Sequence, residues 1–172
     1  MKRFILPFWA VLFSANAFAV PYTGFYQTID DETNLPKSIV ALYEYKDSDK
    51  AKLAGRIIAL YDEKGDITET LNNPVKIADK VDGSPKYVGL DIIWNMDWDE
   101  DDSEYTDGKI MDPKKGSVYS SVIWKDHNDK LRVRGKIGPF GRTQTWNVLS
   151  TSDLPAELQN TETKNWKPII RD

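Results

Sequence analysis

The residues with the best-defined chemistry in this chain are its carboxylates. Six fall among the eight positions Asp97-Trp98-Asp99-Glu100-Asp101-Asp102-Ser103-Glu104. Oxygen ligands of this kind suit calcium, and Asp97, Asp99 and Asp101 match the first three ligand positions of an EF-hand loop. The match then fails. The sixth position is Asp102 where such a loop needs Gly, and the twelfth is Gly108 where it needs Glu. The run therefore reads as a solvated, self-repelling loop, and no metal ligand is assigned. Paired carboxylates also hydrolyse glycosides when two of them flank a sugar. With 27 acidic residues in the chain some pair must lie close, so proximity alone selects none. His127 is the one histidine, and it falls between Asp126 and Asn128 in an expected hairpin loop. A loop tip holds a general base poorly. One His and no Cys leave no His-rich or thiolate zinc site. No nucleophile–base pair or phosphate-binding loop is evident. The chain thus reads more readily as a non-enzyme, without a catalytic residue or cofactor.

Binding is the other chemistry on offer. Lys130 to Gly138 alternates cleanly: Leu131, Val133, Gly135 and Ile137 point one way, and Lys130, Arg132, Arg134 and Lys136 the other. Four cations on one face could meet an anionic ligand, or form a solvated face with acidic partners across the strand. Gly135 within the strand marks a bulge or a close backbone approach. Large aromatics in a small β-domain fill the core or line a barrel mouth. Gln144 shares a strand face with Trp146, and a core-facing Gln without partners costs about 1–3 kcal/mol. The candidate ligand contacts are Trp94, Tyr119, Arg134, Gln144 and Trp146. The aromatics would pack an apolar or amphipathic small molecule such as a lipid, and Gln144 or Arg134 would orient its polar end.

The elements that must position these residues are strands. Period two dominates: Gly24–Ile29, Ser38–Tyr45, Lys52–Tyr61, Val88–Trp94, Tyr105–Met111, Ser117–Trp124, Lys130–Gly138 and Arg142–Leu149 read as strands. The second and third form a hairpin across Lys46–Lys50, and both carry apolar residues on each face, which calls for extra cover on the outside. Asp62–Pro85 reads as a long irregular loop with at most one helical turn. Asp153–Leu158 reads as a helical turn with Asp153 as its cap. About eight short strands and little helix indicate an all-β fold, an antiparallel sandwich or small barrel.

Residues 1–19 read as a signal peptide: basic Lys2 and Arg3, an apolar run from Phe4 to Phe13, and Ala17-Phe18-Ala19 as the cleavage site. The apolar run is too short to span a bilayer. The remainder, residues 20–172, is of one-domain size. It is expected to be periplasmic or secreted and not membrane-spanning. The formal net charge of −4 becomes more negative once Lys2 and Arg3 leave, which argues against nucleic-acid binding.

Several short stretches carry a family resemblance. These are Gly108-Lys109-Ile110-Met111-Asp112-Pro113, Gly116, Tyr119, Leu131-Arg132-Val133-Arg134-Gly135 and Gly141-Arg142-Thr143-Gln144-Thr145-Trp146. Together they resemble the bacterial exported family known as domain of unknown function 2147. Gly24-Phe25-Tyr26 is similar to the family's opening G-x-W, with Tyr for Trp, and Leu53-Ala54-Gly55-Arg56-Ile57 to its third strand. The acidic run is not part of that pattern. The resemblance implies a lipocalin-like (calycin-like) β-barrel and a signal peptide, and it brings no catalytic residues. The leading expectation is a periplasmic binding module for a small apolar or amphipathic ligand. The alternatives are a non-catalytic cell-envelope interaction protein with a filled barrel and a protein partner, and a carboxylate-based hydrolase.

Overall fold

Ser48 and Asp49 both hold positive φ, 49° and 76°, which is the geometry of a two-residue type I′ hairpin turn. They join β2 (Pro36–Asp47) to β3 (Lys50–Tyr61), the longest strands in the molecule, and Asp47 and Lys50 form the last pair. This hairpin seeds a meander. In the computed structural model, which describes residues 21–171, the other strands are β1 (Gly24–Ile29), β4 (Ile67–Thr70), β5 (Asp91–Asp99), β6 (Glu104–Asp112), β7 (Ser117–Lys125), β8 (Leu131–Ile137) and β9 (Phe140–Leu149). The signal peptide read at residues 1–19 lies outside the described residues.

All the pairings between these strands are antiparallel. The sheet order β2-β1-β9-β8-β7-β6-β5-β3-β4 is closed by β2 pairing with β3. Eight strands therefore form a ring, and β4 hangs on the end of β3 as a ninth. Closure satisfies the backbone of every ring strand and leaves only the short β4 as an edge. β4 corrects the reading of Asp62–Pro85 as a loop. Its four residues, Ile-Thr-Glu-Thr, are too short to show a period, and only pairing with Ala59–Tyr61 makes them a strand. The stretch has no helical turn; an isolated bridge joins Ile77 to Lys86 instead. β5 also starts and ends later than its apolar signal, so Asp97 to Asp99 and Glu104 belong to strands and the acidic turn shrinks to four residues.

The barrel is filled from its own wall. Tyr26, Val40, Leu42, Leu53, Ile93, Met96, Tyr105, Ile123, Val133 and Trp146 form one buried cluster. Gly108 belongs here because a Cβ there would collide with the Met96 thioether. Gly135 sits in unbroken register, so no bulge forms; its missing side chain admits Ile110 and Tyr119 from neighbouring strands. The cover expected outside β2 and β3 comes from the chain after β9. Leu154, Leu158 and Trp166 pack on Ile39, Ala41, Ile58 and Ala59. The turn there is two short 3-10 turns rather than one helical turn. Ser150 is the cap, and Asp153 closes a capping box by accepting from the Ser150 N–H at 2.7 Å.

Candidate functional site

The two ends of the barrel differ. One is stoppered by rings: Tyr22, Trp98 and Tyr105 meet pairwise at centroid distances of 5.1 to 5.9 Å in edge or tilted contacts. The Tyr22 hydroxyl donates to the Ser103 carbonyl at 2.8 Å and the Tyr26 hydroxyl to the Tyr22 carbonyl at 2.9 Å, locking the stopper. The other end, at the β1–β2, β6–β7 and β8–β9 turns, is ionic. Arg142 pairs with Asp31 at 2.6 Å and Lys37 with Asp30 at 3.8 Å. Burial, and then the charge of Lys114, hold the Lys37 ammonium below its usual pKa against the pull of Asp30 and Asp112.

The five sequence-predicted contacts distribute as follows. Trp146 is 1% exposed and Trp94 4%, both in the main core cluster. Gln144 lies beside Trp146, accepts from its indole N–H at 3.2 Å and donates to Asp31 at 3.4 Å, so it links the core to the ionic rim. Tyr119 is half-buried next to Gly135 on the inner wall. Arg134 points outward, opposite Val122 and Thr143. The structure thus brings Tyr119, Gln144 and Trp146 to the interior and places Arg134 elsewhere.

Arg134 lines a cleft of about 480 Å³ on the outer wall with Val122, Trp124, Lys125, Lys136, Tyr22 and the turn residues Asp102, Ser103 and Glu104. The acidic run is largely engaged. Asp97 pairs with Lys52 at 2.6 Å, Glu100 accepts from the Trp98 indole at 2.9 Å, and Asp99 accepts from the Asp101 and Asp102 amides. Among the described residues no group of three or more acidic or His side chains is placed to hold a metal ion. His127 is exposed, and its ring meets the Asn128 side-chain amide at 3.0 Å.

One buried polar hub was missed from sequence. The Asp91 side chain has no exposure. It accepts from the Tyr43 hydroxyl at 2.6 Å, from Arg56 at 3.0 and 2.8 Å, and from the Ile169 amide at 2.9 Å. Arg56 also donates to the Lys167 carbonyl, and its guanidinium lies 4.5 Å from the centre of the Trp166 ring. Every oxygen is matched by donors, so the hub fastens residues 166–169 to β3 and β5; it has no free lone pair to offer a substrate. The available signal was an Asp opening the apolar run Asp91-Ile92-Ile93-Trp94, since a carboxylate there must be paired.

Burial dominates the tyrosines. It pushes Tyr26 up to about 12, with Asp129 and Tyr22 adding to it. Tyr105 rises further through burial and Glu44, and Tyr43 through burial and its bond to Asp91. A raised phenol pKa means that the folded state holds its proton more tightly. The associated stability is therefore full below pH 10 and is lost as the pH climbs through the folded values. In an ultraviolet titration Tyr26, Tyr43 and Tyr105 should ionise only in a cooperative step with unfolding, above the ordinary phenol range. Smooth ionisation of all eight tyrosines near pH 10, with circular dichroism unchanged, contradicts this burial.

Tyr105 Oη and Ser121 Oγ are buried hydroxyls without a hydrogen-bond partner among the described residues. Ser121 pairs in register with Gly108 and Gly135, so three small residues cross three adjacent strands of the inner wall.

Known proteins place this geometry. A solved structure, protein HP1028 from Helicobacter pylori, described as belonging to the lipocalin family, is similar with a TM-score of 0.55 and 20% identity, over 83% of this chain and 89% of that one. The shared feature is the fold, a lipocalin-like barrel, and barrels of this size lend themselves to holding one small ligand. No curated protein matches the sequence. The model of an uncharacterised protein conserved in bacteria, DUF2147, matches residues 24–148. The chain belongs to this bacterial DUF2147 family.

Proposed function

We propose that the protein is an exported, periplasmic, non-catalytic binding module that takes a small amphipathic ligand, such as a lipid, at the ionic end of its barrel. The observation that carries this reading is the contrast between the ends. The ring-stoppered end is tied by hydrogen bonds, whereas inner-wall residues Ile110, Tyr119, Gly135 and Gln144 keep partial exposure toward the other. An apolar tail would lie against Tyr119 and above Trp146, and Gln144, Asp31 and Arg142 would meet the polar end. The unpartnered hydroxyl of Ser121 lies on the same inner wall, and such a group costs about 1–3 kcal/mol until something meets it. Trp94 stays a core residue in this reading. Export rests on the signal peptide read at residues 1–19.

The packed interior favours a second reading, an envelope interaction protein whose barrel is filled. One experiment separates them. Mass spectrometry of organic extracts from purified protein should show a co-purifying amphiphile. A fluorescent fatty acid should bind saturably, and Gln144→Leu should weaken binding at least fivefold while leaving the fold intact. An empty extract together with no fatty-acid binding would overturn the ligand reading.

A further inference from the structure

The cations of β8 do not share one fate. Lys130 donates to Asn147 at 2.9 Å, and Arg132 donates to Thr145 and lies 3.9 Å from Asp126. Arg134 and Lys136, the next two on that face, make no hydrogen bond or ion pair among the described residues. Both line the outer cleft. Register fixes their surroundings. Val122 lies directly opposite Arg134 and is only 7% exposed, Trp124 is two pairs along on the same face, and Ser120 faces Lys136. Cross-strand neighbours of this kind sit about 5 Å apart and diagonal ones about 7–8 Å, so Trp124, Arg134 and Lys136 surround an apolar floor. The Trp124 indole N–H also has no partner among the described residues.

Asp102 and Glu104 line the same cleft from a single stretch of chain, flanking Ser103. Burial and the neighbouring Asp102 charge raise the Glu104 carboxyl above its ordinary pKa, with Lys136 opposing. No ion pair within 4 Å joins these carboxylates to Arg134 or Lys136. The cleft therefore keeps two cations and two carboxylates unjoined, with an aromatic and an aliphatic side chain among them. Charge poles of opposite sign around an apolar floor match a ligand that has both signs itself. A hydrolytic role fits less well, because a glycosidase needs its two carboxylates on opposite sides of the sugar.

We infer that this outer cleft binds a zwitterion carrying an ammonium and a carboxylate on an apolar body, the chemistry shared by a free amino acid and a short peptide. The carboxylate meets Arg134 and Lys136, the ammonium meets Glu104 and Asp102, and the side chain lies on Trp124 and Val122. This site is separate from the barrel mouth and stands whether or not that mouth holds a ligand.

The test is an NMR titration of the intact protein, following indole N–H resonances, with phenylalanine and the dipeptide Gly-Phe as probes. The Trp124 indole, assigned by Trp124→Phe, should shift saturably. N-acetylphenylalanine, which lacks the ammonium, and phenethylamine, which lacks the carboxylate, should each bind at least tenfold more weakly. The double variant Arg134→Gln, Lys136→Gln should lose the response to the zwitterions at least tenfold, and Glu104→Gln at least fivefold. All these positions face outward, so the variants should fold, and unchanged amide spectra check that they do. A preference for the dipeptide over phenylalanine identifies a peptide site, and the reverse an amino-acid site. No saturable shift with either probe overturns the inference. So does binding of either half-charged analogue as tightly as the zwitterions, or a response that survives in the double variant.

Discussion

Replacing Asp91 with Ala should lower the unfolding free energy by about 3–5 kcal/mol, the range seen when one member of a buried ion pair is removed and its partner stays behind. The effect has three parts in this fold. Arg56, whose side chain is 16% exposed, loses both bonds to its carboxylate. Tyr43, 1% exposed, loses its acceptor. The Ile169 amide loses its anchor, so the segment carrying Trp166 is released from the outer wall. Urea denaturation measures the loss. Asp91→Asn should recover part of it, because an amide oxygen still accepts from Tyr43 or Ile169 without answering the guanidinium charge. Limited proteolysis near residues 160–171 should accelerate in Asp91→Ala. A loss under about 1 kcal/mol with an unchanged cleavage pattern would show that the hub does not hold that segment.

The second large effect belongs to Trp146. It is the largest of the fully buried side chains, and it bridges the barrel core to Gln144. Trp146→Ala should cost about 3–5 kcal/mol, since the wall around it cannot collapse into the space without breaking the ring of strands. Trp146→Phe keeps most of the volume but leaves the Gln144 carbonyl oxygen without its indole donor. It should cost distinctly less. Thermal unfolding of the two variants reads the ordering, and equal losses would mean that the hydrogen bond, not the volume, is what the site needs. Binding of the fluorescent fatty acid should fall in Trp146→Ala if the ligand lies above this ring, and should be absent from the unaltered protein if the barrel is simply full.

Much of the fold was legible because closed barrels impose a strict period of two, and Val133, Gln144 and Trp146 could be assigned to the inner face from alternation alone. Turns were legible where Gly, Pro, Asn or Asp supplies the special backbone, as at Ser48-Asp49. β4 was not, because four residues are too short to show a period and only their pairing back onto Ala59–Tyr61 makes them a strand. The all-apolar β2 correctly signalled a second covering layer, but which segment supplies it is a tertiary choice that Leu154, Leu158 and Trp166 make by packing. The site was half legible. Gln144 was found by asking where a core-facing amide finds partners, yet its partner Asp31 is 113 positions away. Arg134 was found by its charge, while the features that make its surroundings a cleft, Trp124 opposite Arg132 and the turn residues Asp102 and Ser103 lining it together with Val122, are matters of register and loop path.

The pairing of β1 with β9 has a kinetic consequence. The meander from β1 through β9 forms by contacts between strands adjacent in sequence, or separated by one connector. Among the strand pairings of the described residues, only the seam joins the first strand to the last, as in the bond from Asn147 to Gln27, 120 positions apart. Loop-closure entropy for that encounter must be met before the seam returns any stabilisation. Until it forms, β1 and β9 each present an unpaired backbone edge along their whole length. The seam is thus the late step that converts an open, self-adhesive sheet into a particle with almost no edge, and the time the chain spends unclosed sets its exposure to association with other copies.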